Sequence, residues 1–157
     1  MNTTNRTSGG VPRISRILVA TDFSPQASNA LEWGRRLAGA FEAKLILLHV
    51  IDIFSMERIG CVTGGFDPLS LLREQARKCM AELKTLVPDA RTVIREGSPR
   101  PVIVDAALEL DCQLIVMGTH GRSGLAHLLL GSVAEYVVRN GKVPVLTVRM
   151  HGAQDES

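Results

Sequence analysis

With 157 residues, 45% of them hydrophobic and 22% charged, the chain can bury one core, is too short for two ordinary domains and is too apolar to remain disordered. A formal net charge of +2, with the signs interleaved as in Arg73-Glu74-Gln75-Ala76-Arg77-Lys78, gives no electrostatic footprint for a nucleic-acid partner. No apolar run approaches the roughly 18 to 20 residues that cross a bilayer, and Met1 to Ser15 lacks a signal-peptide core. The expectation is a cytoplasmic protein with neither nucleic acid nor membrane as partner.

In chain order, residues 1–13 are rich in Asn, Thr, Ser and Gly and read as a flexible leader, with residues 14–150 as the domain and 151–157 as a flexible tail. Ile17 to Ala20 is the first strand. Ser24 is positioned as an N-cap and Pro25 as the first turn of a helix whose apolar stripe runs through Ala27, Ala30, Leu31, Gly34, Leu37, Ala38 and Phe41. Leu45 to Val50 is the second strand. The irregular stretch from Ile53 to Pro68, with Gly60, Gly64 and Gly65, is either a loose excursion or a lid. A second helix carries Leu69, Leu72, Ala76, Cys79, Met80, Leu83 and Leu86, and Pro88 ends it. Thr92 to Arg95 is short and flanked by polar residues, as an edge strand would be. A third helix spans about Pro101 to Leu110, Leu114 to Met117 is the fourth strand, and a fourth helix spans Val133 to Arg139, with Asn140-Gly141 as its stop. Val143 to Val148 is the last strand. Alternation of short apolar runs with helical stripes predicts a single α/β domain, a doubly wound five-stranded parallel sheet with helices on both faces.

In such a sheet, ligands bind beyond the carboxyl ends of the strands, where the strand order reverses. Two strand ends carry the chemistry. The first runs Ala20-Thr21-Asp22-Phe23-Ser24, and the fourth runs Met117-Gly118-Thr119-His120-Gly121-Arg122-Ser123-Gly124. Glycines there let backbone N–H groups approach an anion. Farther on, Gly131-Ser132-Val133-Ala134-Glu135 combines a glycine with an S-x-x-E capping box, placing a helix N-terminus where a phosphate would bind.

The spacing Gly118-x2-Gly121-x9-Gly131-Ser132, followed by a helix and Val143-Pro144-Val145-Leu146-Thr147-Val148, resembles the nucleotide motif of the universal stress proteins that bind ATP. Ile17 to Ser24 and Leu47-Leu48-His49-Val50 are similar to that family's first two strands, and the likeness extends from about Ile14 to Arg149. The resemblance implies ATP, or ADP or AMP, with or without Mg2+ or Mn2+. It implies Ala20, Thr21 and Asp22 toward ribose and adenine and Val50 along the adenine. Met117, Gly118, Thr119, His120, Gly121, Arg122 and Ser123 would surround ribose and phosphates, and Gly131, Ser132 and Val133 the terminal phosphates. It also implies a homodimer, since the last strand, residues 143–148, is expected at a sheet edge with an apolar face to cover.

Alternatives stand beside these roles. Asp22 either meets the ligand or caps its own turn, Ser132 either caps its helix, binds phosphate or does both, and His120 and Arg122 are either phosphate contacts or solvated turn residues. His49 and His127 lie in apolar sequence and read as packing. Cys61, Cys79 and Cys112 are odd in number, without a CxxC pair, and read as reduced structural thiols. A P-loop is excluded because Gly141-Lys142 is followed by Val143, and no GxGxxG follows the first strand. A phosphoacceptor receiver domain stays in contention through Asp22, Glu96 and Arg149. With Asp22 and His120 but no second positioned carboxylate, the chain reads as a binding or sensing module and not an enzyme, with at most slow ATP hydrolysis. A nucleotide-free interaction protein is the remaining alternative.

Overall fold

The computed structural model of the protein describes residues 13–54, 67–119 and 130–149. The leader up to residue 12, the tail, most of the 53–68 stretch, Cys61, His127 and the site candidates His120, Gly121, Arg122 and Ser123 lie outside the described residues.

Five strands and four helices alternate among the described residues: β1 (Arg16–Ala20), α1 (Pro25–Phe41), β2 (Lys44–Asp52), α2 (Pro68–Leu86), β3 (Arg91–Gly97), α3 (Pro99–Glu109), β4 (Leu114–Gly118), α4 (Ser132–Asn140) and β5 (Val145–Val148). Every strand pairing is parallel, in the order β3-β2-β1-β4-β5. The chain winds outward from β1 to β3, then returns to the other side of β1, so the order reverses between β1 and β4. That is the doubly wound sheet expected from the sequence.

Alternate residues of the central strands enter opposite layers, which explains their unbroken apolar runs. Ile17, Val19, Leu45, Leu47, Leu114 and Val116 pack with Ala30, Leu31 and Ala38 of α1 and Met80 of α2. On the other face Leu18, Ile46, Leu48 and Ile115 pack with Ile103 and Ala107 of α3 and Val137 of α4. β3 occupies an edge, and its Arg91, Thr92, Arg95 and Glu96 are exposed, as the polar flanks of that segment predict. No helix among the described residues is long and apolar enough to cross a membrane.

Several local expectations are corrected. The N-cap of α4 is Gly131, so the Ser132-Glu135 capping box does not form; Ser132 is the first helical residue, and the Glu135 carboxylate instead meets Arg139 at 3.0 Å. Gly141 follows α4 with φ −58°, so it is not a left-handed stop. Glycine fits there for space, because a Cβ would lie 2.7 Å from Val137 O, the acceptor of the Gly141 N–H. α3 begins two residues earlier than its apolar pattern, at Pro99, whose fixed φ suits a first helical turn. α2 ends at Leu86 because Pro88 disfavours helical geometry at Val87, which sits at φ −136° and ψ 70°. β5 starts at Val145 and not Val143, although Pro144 O already accepts from Ile115 N at 3.0 Å.

Candidate functional site

The turn from β1 into α1 is held residue by residue. Thr21 N extends the ladder by donating to Leu48 O at 2.9 Å, and Thr21 Oγ1 accepts from Phe23 N at 3.0 Å. Asp22 Oδ1 accepts from Ser24 N at 3.0 Å, and Ser24 Oγ caps α1 by accepting from Ala27 N at 3.2 Å. Ser24 is therefore the helix cap, while Asp22 shapes the turn before it. Phe23 takes φ +64°, a left-handed conformation that costs a side-chain-bearing residue about 1 kcal/mol and needs support from its surroundings.

That support includes His49, whose Nδ1 lies 2.8 Å from Thr21 O. A carbonyl only accepts, so Nδ1 carries the proton and donates. The rings of His49 and Phe23 are 4.2 Å apart, centroid to centroid.

The end of β4 stands beside this turn, because β1 and β4 are neighbours in the sheet. Gly118 is the last residue of β4, paired with Val148 of β5, and is not part of a sharp turn. Its missing side chain lets α1 lie close, since a Cβ would come within 3.2 Å of the Gln26 backbone. Thr119 N donates to Val148 O at 3.0 Å, and Thr119 O accepts from Gly131 N at 2.7 Å. The chain that leaves at Thr119 is thus fastened where it re-enters at Gly131, and the N-terminus of α4 opens next to the end of β4. Gly131 has φ −70°, which any residue adopts, so the backbone does not call for glycine there.

Of the sequence-selected residues, Ala20, Val50 and Met117 join one apolar cluster on the α3/α4 face, with Leu130 and Val133 packed against it. Thr21 and Thr119 are buried at the strand ends, and together with Ser24 they are the buried polar residues among those described. Buried polar groups gathered at the carboxyl end of the sheet mark it as different from the rest of the interior. Ser132 is exposed at the mouth of α4. Beneath the turn, on the α1/α2 face, is a cavity of about 210 Å³ between Phe23, Ala27 and Leu31 on one side and Cys79, Glu82 and Leu83 on the other.

Sequence reasoning missed the part played by His49 and Phe23. The available signal was a lone histidine at the far end of an apolar strand, in phase with Leu45 and Leu47 and so facing α1 and α2. The receiver-type alternative fails on geometry: Glu96 lies on β3, two strands from Asp22, and its carboxylate receives Arg73 Nε at 2.7 Å.

Comparison with known proteins agrees with this architecture. The chain is similar to universal stress protein MJ0577 of Methanocaldococcus jannaschii, 32% identical over 152 residues that cover 85% of this chain and 94% of that protein. The solved structure of MJ0577 superposes with a TM-score of 0.76, covering 90% of this chain and all of that one. The universal stress protein UspA of Lactobacillus plantarum superposes with a TM-score of 0.75 at 28% identity, covering 88% of this chain and 100% of that one. A universal stress protein crystallised in complex with cAMP superposes with a TM-score of 0.57 at 28% identity, covering 87% of this chain and 98% of that one. The model of the universal stress protein family matches residues 13–149, from the lead-in to β1 to the residue after β5, and the chain belongs to that family.

Proposed function

We propose that this protein binds an adenine nucleotide, ATP or its ADP or AMP forms, across the ends of β1 and β4, and works as a nucleotide-dependent sensor or interaction module. The observation that carries the proposal is the juxtaposition of Thr119, Gly131 and the N-terminus of α4 beside the Thr21-Asp22 turn. First-turn N–H groups and the positive end of the helix dipole favour a phosphate, and Gly131 puts no side chain in its way. Ala20, Val50 and Met117 form an apolar floor at the same end of the sheet, suited to a base. The relative crystallised with cAMP supports an adenine ligand.

His120, Gly121, Arg122 and Ser123 are assigned to the phosphates by the motif alone. Among the described residues, no three His, Cys, Asp or Glu side chains gather closely enough to hold a metal. Replacing Gly131 by Val places two methyl groups at the helix mouth. By calorimetry the folded variant should lose at least tenfold in ATP affinity, about 1.4 kcal/mol; unchanged affinity rejects the site. The wild type should release phosphate well below the roughly 1 to 1000 per second of typical enzymes. Turnover in that range, abolished in Asp22→Ala, would make it an enzyme.

A homodimer through β5 is part of the same proposal. Among the described residues β5 pairs only with β4, and its Val145, Leu146 and Thr147 are half-buried, whereas Val148 is covered and so contributes less to an interface than its sequence suggests. An unprotected apolar edge is a template for a second strand, and two identical edges close about a two-fold axis. Sedimentation equilibrium at micromolar concentration should show a dimer that Leu146→Lys dissociates. A monomeric wild type ends this proposal, and an unshifted dimer in the variant places the interface elsewhere.

A further inference from the structure

Thr21 is the residue at which the first strand stops and the proposed ligand turn begins. Its peptide groups are fixed on both sides, with N–H on Leu48 O and C=O on His49 Nδ1. The Thr21 carbonyl and the Asp22 N–H belong to one planar unit, and no described peptide bond is cis. In a trans peptide these two groups point in opposite directions. Whatever holds the carbonyl therefore aims the Asp22 N–H away from itself. His49 approaches from the α1/α2 face, in phase with Leu45 and Leu47, while Val50 and Ala20 belong to the opposite face.

The space below Phe23 is a cavity of about 210 Å³ bounded on its far side by Cys79, Glu82 and Leu83 of α2. Phe23 nonetheless keeps a left-handed backbone, φ +64°, with its ring against His49. The imidazole thus meets both the carbonyl and the ring of the turn, on the face where Phe23 also packs against the α1/α2 core.

We infer that His49 is a positioning residue for the nucleotide turn: by donating Nδ1–H to Thr21 O from behind the sheet, it orients the Asp22 N–H toward the ligand without touching the ligand itself. The inference rests on the adenine-nucleotide function proposed above and adds the residue that sets the geometry of its β1 side.

Two substitutions separate the hydrogen bond from the packing. His49→Phe keeps a ring against Phe23 and removes the donor, whereas His49→Asn gives up the ring and keeps an N–H near the position of Nδ1. ATP titration by calorimetry and amide hydrogen exchange without nucleotide are measured on wild type and both variants, after thermal unfolding has shown that each is folded. Loss of one hydrogen bond corresponds to roughly a five- to tenfold change in an equilibrium. His49→Phe should bind ATP about tenfold more weakly and exchange the Asp22, Phe23 and Ser24 amides about tenfold faster, while His49→Asn stays within about threefold of wild type on both measures. The reverse ranking, or equal loss in both variants, shows that the ring only fills space and overturns the inference. If the wild type takes up no adenine nucleotide, the proposed function fails, and the exchange ranking alone then decides whether His49 orders the turn.

Discussion

Gly34 lies in the middle of α1, where glycine is about 1 kcal/mol worse than alanine for a helix. A Cβ at that position would lie 2.3 Å from Val19 Cγ2, and Val19 is fully buried in β1 with no room to retreat. Overpacking of this kind costs about 1 to 3 kcal/mol and outweighs the propensity gain. Gly34→Ala should therefore lower the urea midpoint, by about 1 kcal/mol of stability. Gly39 in the same helix is exposed with nothing within 4 Å of an added Cβ, so Gly39→Ala should raise stability by about 0.5 to 1 kcal/mol. Sequence pattern placed Gly34 on the buried stripe correctly but said nothing of the distance to Val19. The structural thiol at Cys112 was legible in the same way. It is buried, and that burial pushes its thiol up to about 11, far from a reactive thiolate. His49 was not legible as a brace, because its partner is a main-chain carbonyl and such a bond leaves no pairing in the sequence.

Helices were readable to the extent that they face a broad sheet. In α1 the buried residues Ala27, Ala30, Leu31, Gly34 and Ala38 are all on the predicted stripe, while Phe41, at its end, is exposed. In α2 only Ala76 and Met80 are buried and Leu86 is 69% exposed, since α2 packs on β2 and the edge strand β3, where there is less surface to cover. The α4 start was misplaced by one residue because Ser132-x-x-Glu135 satisfies a capping pattern that Gly131 pre-empts. Arg73 joins α2 to β3 by meeting both Glu96 oxygens, at 2.7 and 3.0 Å. The guanidinium holds the Glu96 carboxyl below its ordinary range. A depressed folded value means that the unfolded chain binds the proton first as pH falls, so the tie stabilises above the ordinary carboxylate range and is lost as pH drops through the depressed value. Both groups are well exposed, which keeps the effect small. Glu96→Gln should lower the urea midpoint slightly at neutral pH, and the difference from wild type should close in acid.

At the scale of the molecule, the alternation of elements gave the parallel sheet and its two helical layers, and the polar flanks of the third strand and the final place of the last marked both as edges, but the full order β3-β2-β1-β4-β5 is seen only in the structure. Neighbours such as Arg16 and Gln113, whose side-chain carbonyl accepts from Arg16 N at 2.9 Å, are 97 positions apart, and no local period encodes that meeting. β1, β2 and β3 are built by consecutive chain and can zip outward from one another, whereas β4 with β5 must dock onto β1 after a long excursion. The proposed ligand lies across that docking line, touching both parts only once they have met. It would then act as a latch on assembly order, present in the finished sheet and absent while the second part is still closing. In stopped-flow experiments ATP should slow unfolding and leave the refolding rate unchanged, because a contact formed after the transition state changes only the unfolding rate. Refolding accelerated by ATP would mean that β4 meets β1 early, and that the central seam of the sheet is where folding starts.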